Sequence, residues 1–152
     1  MTHQELYRRM CDLAVRVEQF AAPLFNRPAT ASIADQLTRA ARGAAANYQA
    51  SNHGRSNADF RSKLTVALEE ADETKHWLQH LVESGLASGA ALTALLKESR
   101  EICRILGASV RTANQNARAR EAARAERRPQ RRRSSGRRRP RAPRPRPTDD
   151  AT

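Results

Sequence analysis

Six aromatic side chains in 152 residues are few, and they point away from an interior built on stacked rings. With 39% apolar content, the core has to come from aliphatic residues on packed helices. A chain this short suits one domain of ordinary size and excludes a large enzyme. No run approaches the roughly 18 uncharged apolar residues that span a bilayer. The N-terminus also lacks the uninterrupted apolar stretch of a secretory signal, since Asp12, Arg16 and Glu18 break the segment after Arg8-Arg9. The expected setting is the cytoplasm, with no membrane partner.

Glycine is equally sparse, falling only at positions 43, 54, 85, 89, 107 and 136, so neither a P-loop nor a dinucleotide-binding fingerprint can be written. There is no Gly-x-Ser-x-Gly elbow and no Cys–His pairing for nucleophilic chemistry. No cofactor is expected and enzymatic activity is disfavoured. The two cysteines, Cys11 and Cys103, lie among apolar residues at helical spacing. They read as small buried hydrophobes in a reducing compartment rather than a disulfide.

What is abundant is arginine, and it is unevenly placed. Residues 1–117 carry 14 basic and 12 acidic side chains, a net of +2, whereas residues 118–152 carry 14 arginines and 4 acids, a net of +10.

The first 117 residues divide at three points of turn chemistry into four helical segments. Helix 1, about Thr2 to Phe25, repeats Leu6, Met10, Leu13, Val17, Phe20 and Leu24 at intervals of three and four, with Pro23 kinking its last turn. Asn26-Arg27-Pro28 breaks the pattern, and either Thr30 or Ser32, the latter with Asp35 three residues on, caps helix 2. Helix 2 reaches about His53 with a mostly small apolar side, and Gly43 admits a neighbouring backbone. Gly54 stands where a helix end needs a left-handed residue, and Ser56 with Asp59 caps helix 3. Helix 3, about Asn57 to Ser84, carries Phe60, Leu64, Ala67, Leu68, Ala71, Leu78, Leu81 and Val82; Gly85 ends it. Ser88 opens helix 4, whose stripe runs from Leu92 through Leu95, Leu96, Ile102, Cys103 and Leu106 to Val110. Short connections between long helices make neighbours antiparallel, so the fold is an all-α, up-down-up-down four-helix bundle over residues 1–117.

Beyond Val110 the stripe stops while alanine and arginine, both good helix formers, continue. Residues 118–128 are expected to extend helix 4, and Pro129 to end it. Residues 129–152 hold no apolar side chain larger than proline to offset ordering entropy, so a disordered, Arg/Pro-rich basic tail of polyproline-II character is predicted.

Gln36, Arg39-Ala40-Ala41, Ala46-Asn47-Tyr48, Gly54-Arg55-Ser56, Asp59-Phe60, Lys63-Leu64 and Glu70-Ala71-Asp72-Glu73-Thr74 through Trp77-Leu78 form an ordered signature that continues into Glu101-Ile102 and Arg104-Ile105-Leu106. Over about residues 5 to 115 the chain resembles the bacterial four-helix-bundle family of proteins encoded in intervening sequences of 23S ribosomal RNA genes. That family is similar in turn to accessory proteins of diversity-generating retroelements. The resemblance implies a homopentameric, barrel-like assembly that binds nucleic acid and a reverse transcriptase. Helices 1 and 2 are only mildly basic for such a role, and the arginine tail lies outside the family pattern.

Polar residues inside the signature have physical readings of their own. Gln36, Arg39, Gly43 and Asn47 share one face of helix 2, and Glu70, Glu73 or Thr74, and Trp77 one face of helix 3. In an antiparallel pair Arg39 can approach Glu70 or Glu73, and a bidentate guanidinium–carboxylate contact there would fix register. Trp77 is expected to pack against another helix or subunit. Glu73 and His76 have the Glu-x-x-His spacing of di-iron bundles, but a second such motif is missing, so no metal site is expected.

The functional expectation rests on the tail. Guanidinium groups pair with phosphate oxygens and release condensed counterions, so the fourteen residues Arg118, Arg120, Arg124, Arg127, Arg128, Arg131, Arg132, Arg133, Arg137, Arg138, Arg139, Arg141, Arg144 and Arg146 should bind RNA or DNA with little sequence preference, RNA being the expected partner ahead of DNA. Arg8, Arg9 and Arg16 on helix 1 and Arg111 on helix 4 would add a basic bundle surface. Two alternatives stand beside this: a solubilising tail, and a protein-interaction scaffold, an accessory subunit for a reverse transcriptase, whose tail is incidental.

Overall fold

The computed structural model describes residues 1–134, with side chains through residue 127. Four α-helices follow one another: α1 (His3–Ala21), α2 (Ala31–Ser51), α3 (Asn57–Glu83) and α4 (Ala90–Ser134), with a 3-10 turn over Ala22–Asn26. The chain divides into one unit over Met1–Ala117 and another from Arg118 onward. Among the described residues no helix is long and apolar enough to cross a membrane.

In the first unit α2 packs against both α1 and α3. Polar contacts close the circuit through α4: Arg100 donates to Gln79 of α3, and Arg9 of α1 donates to Glu98. Successive helices are antiparallel neighbours, the up-down-up-down order that short loops impose. The interior is aliphatic. Val17, Leu37, Leu78, Leu81, Leu92, Leu95, Ile102 and Leu106 are almost wholly buried, and each buried leucine contributes about 1.5–3 kcal/mol relative to exposure. Tyr48 is the ring drawn furthest inside, and the imidazole of His3 stacks on it at 4.3 Å.

The helix boundaries show where local chemistry redirected the chain. The α-helical part of α1 stops at Ala21, because Pro23 lacks the N–H that would continue the ladder, and a 3-10 turn carries Leu24 into the core instead. Helix α2 begins at Ala31 after Thr30, yet the Thr30 hydroxyl does not cap it; fully buried, it donates to the Leu24 carbonyl at 2.8 Å and ties the turn to the helix start. Ser32, the alternative cap, is inside the helix. At α3 the Ser56 hydroxyl accepts the Asp59 N–H at 3.1 Å, and the Asp59 carboxylate accepts the Arg55 N–H at 3.0 Å.

Gly54 has no left-handed backbone; glycine is required there because an added methyl would lie 2.9 Å from the Phe60 backbone nitrogen. Gly85 does adopt φ +67 at the end of α3, and Gly89, at φ +113, precedes α4. Val82, expected in the core, is 44% exposed.

Helix α4 also runs past its expected end, through Pro129 to Ser134. A proline removes one ladder hydrogen bond and strains one turn; here Arg127-Arg128 before it and Gln130-Arg131-Arg132-Arg133 after it are good helix formers. The remainder of the expected disordered tail, residues 135–152, lies outside the described residues.

Candidate nucleic-acid interface

In the second unit every residue from Arg118 to Arg127 is exposed. Alanine supplies helix propensity there without supplying a side chain to bury. On a helix Arg120, Arg124 and Arg127 stand at i, i+4 and i+7, on one face, and adjacent members are about 4.5–6 Å apart along the axis. Glu121 and Glu126 fall outside that line. An exposed guanidinium row gains little from water and much from a polyanion whose counterions it displaces. Arg128, Arg131, Arg132 and Arg133 continue α4, while Arg137, Arg138, Arg139, Arg141, Arg144 and Arg146 lie outside the described residues.

The basic residues expected on the bundle are differently disposed. Arg8, Arg16 and Arg111 are exposed, and the Arg111 guanidinium lies alongside Gly107. Arg9 is already engaged. Its Nε and Nη2 donate to the two carboxylate oxygens of Glu98 at 2.9 and 3.0 Å, which raises the affinity of Arg9 for its proton. Lys97, Arg100 and Arg104, not expected from the sequence, line the same cleft as Arg9 and Arg16. Their i, i+3, i+7 spacing on α4 is the signal that could have found them; the apolar stripe of that helix masks it.

The expected pair between Arg39 and Glu70 or Glu73 is not made. Arg39, Gln36, Ala40, Glu70 and Glu73 do surround one cavity of about 200 Å³ between α2 and α3. But Arg39 turns to Asp35, one turn back on its own helix, at 3.7 Å, and the Glu73 carboxylate accepts the Trp77 Nε1–H at 3.1 Å. An i,i+4 partner is always within reach of an exposed arginine, whereas the interhelical carboxylates would demand desolvation.

Glu70 itself lies against Gly43, where an added methyl would stand 2.9 Å from its Cδ. The space glycine opens there is filled by a carboxyl group rather than by a neighbouring backbone. Burial, then the charge of Glu73, push the Glu70 carboxyl above the ordinary carboxylate range, while Arg39 pulls it back. His76, Trp77 and His80 form an edge-to-face cluster on α3, with Trp77 5.1 and 5.9 Å from the two imidazoles. Among the described residues no three His, Cys, Asp or Glu side chains converge on a metal-sized site. No thiol–thiol pairing forms: Cys103 is buried and Cys11 half-buried, both free.

A family model described as 23S rRNA-intervening sequence protein matches residues 2–108. A crystal structure of a protein of unknown function from the S23 ribosomal protein family of Bacteroides thetaiotaomicron is similar, with a TM-score of 0.66 and 26% sequence identity, over 73% of this chain and 99% of that one. No curated protein matches.

Proposed function

We propose that this chain, which belongs to the 23S rRNA-intervening sequence protein family, is a non-enzymatic, oligomeric bundle that binds RNA through an arginine arm. One observation carries this: a first unit of net charge +2 is followed by a segment of net +10, whose described side chains are all exposed from Arg118 to Arg127. Folding stability does not call for such a segment, since its described side chains, residues 118–127, stay exposed and its like charges repel. Phosphate is the counterpart that would neutralise it, and contacts of this kind carry affinity rather than sequence preference.

Self-association belongs to the same reading, five copies being what the resemblance of the sequence implies. Each copy would then contribute one arm, and several weak arms on one RNA gain through effective concentration. The scaffold alternative, a bundle that recruits a reverse transcriptase, would leave the arm without a role.

The test is a full-length variant in which the fourteen arginines between 118 and 146 are replaced by glutamine. A large fall in RNA affinity with the bundle intact is expected. Affinity unchanged by the replacement would exclude the arm from RNA recognition and favour the scaffold.

A further inference from the structure

Helices α1 and α4 enclose an open cleft of about 690 Å³ in the first unit. Five cations line it, Arg9 and Arg16 from α1 and Lys97, Arg100 and Arg104 from α4, against two carboxylates, Glu98 and Glu101. The cleft's net of +3 exceeds the net of +2 of the unit as a whole, so positive charge is concentrated in this one concavity while the rest of the unit is slightly acidic.

The two carboxylates are spent on two of the cations. Glu98 holds Arg9 by both oxygens. Glu101 holds Arg104 by both oxygens at 3.0 and 2.7 Å, a contact that keeps the Glu101 carboxyl below its usual range. Arg100 donates to the neutral Gln79 amide oxygen at 2.5 Å. Arg16, Lys97 and Arg100 therefore carry no carboxylate partner among the described residues, and they converge from two helices.

We propose that this cleft is a second phosphate-binding site, and that it seats the sugar–phosphate backbone of the RNA that the arm attracts. The identity of the anion rests on the function proposed above; the site itself rests on the α1–α4 geometry. Arg9 to Arg16 and Lys97 to Arg104 each span about 10 Å of helix axis. A nucleic-acid strand presents a phosphate roughly every 3.4 Å of duplex axis, so the walls of the cleft reach across neighbouring phosphates. The paired Arg9 and Arg104 are pre-oriented by their carboxylates, and Arg16 and Lys97 supply the uncompensated charge. The two sites differ in character: exposed helix charges gather the polyanion, and a bounded concavity fixes where it lies.

The test uses the full chain and a labelled oligouridylate, titrated between about 50 and 200 mM salt. Arg16→Gln with Lys97→Gln should lower affinity several-fold and flatten the slope of log K against log salt by about 0.7 for each single-strand phosphate no longer neutralised. Both side chains are exposed, so the fold should melt unchanged. Arg16→Lys with Lys97→Arg should restore the slope, because charge is what the phosphate reads. The variant with arginines 118–146 replaced by glutamine isolates the cleft, and oligouridylate should still shift its Arg16 and Lys97 resonances in an NMR titration.

An unaltered slope together with unshifted resonances overturns the cleft, whether or not the arm binds. Weaker binding on neutralising the arm, with those resonances still shifting at higher oligouridylate concentration, would uphold it. Displacement by polyglutamate as readily as by RNA would assign the cleft to acidic protein and overturn it as an RNA seat.

Discussion

Arg9 on α1 and Glu98 on α4, 89 positions apart, face each other fork to fork with N–O distances of 2.9 and 3.0 Å. The Arg9 side chain is 34% exposed and that of Glu98 26%, so solvent screens the attraction, and the contact specifies the alignment of the first and last helices more than it stabilises them. A double-mutant cycle with Arg9→Ala and Glu98→Ala should return a coupling of about 1 kcal/mol or less. A coupling several times larger in chemical denaturation would mean the pair is a principal stabiliser of the bundle.

Glu70 gives a pH dependence of determinate sign. Its carboxyl titrates higher in the folded chain than in the unfolded one, because burial and Glu73 disfavour the charged form. Ionisation of Glu70 therefore destabilises the fold, a penalty fully present above the folded value and gone once the pH drops below the ordinary range near 4.5. Glu70→Gln should raise the melting temperature at pH 7, and the gain should shrink as pH falls toward that range. A gain that grows on acidification would reverse the assignment.

Two glycines with the same nominal clearance should respond oppositely to alanine. At Gly54 the methyl would meet the Phe60 backbone at 2.9 Å, and backbone cannot step aside, so Gly54→Ala should cost about 1–3 kcal/mol. At Gly43 the methyl meets the end of the flexible Glu70 side chain at 2.9 Å. The carboxyl can swing toward solvent, and alanine gains about 1 kcal/mol of helix propensity over glycine. Gly43→Ala should be neutral or stabilising in thermal unfolding; a clear loss would show that Glu70 has nowhere to go.

The parts of this molecule that could be read from sequence are those governed by short-range periodicity. Leu64, Ala67, Ala71, Leu78 and Leu81 on α3, and Leu92, Leu95, Ile102 and Leu106 on α4, are spaced by three, four or seven positions, whole turns of one helical face, and all are buried. Ser56 with Asp59 needs only three residues to form its cap, and it forms. What escaped depends on competition between partners that sequence does not rank. Arg39 had Asp35 nearby and two glutamates across a helix interface, and took the local one. The Thr30 hydroxyl had an N–H to accept and a carbonyl to donate to, and it donated. The cation cleft escaped for a different reason: Arg16 and Lys97 are 81 positions apart, and only the antiparallel circuit brings α1 beside α4.

Thiol chemistry separates the two cysteines. Burial pushes the Cys103 thiol up to about 12, with the nearby Asp72 charge adding to the shift and Lys75 opposing it, so almost no thiolate is present near neutrality. Half-buried Cys11 should react first with a disulfide reagent at about pH 8, and Cys103 only on unfolding. Equal native rates would show that α4 opens readily around Ile102.

Whether the arginine arm meets phosphate is read from the salt dependence of RNA binding by the intact chain. If about six arginines of the arm meet phosphates, log K should fall linearly against log salt with a slope of about −4 for single strands. No binding at about 50 mM salt, or an affinity indifferent to salt, would contradict a protein whose positive charge exists to meet RNA phosphates.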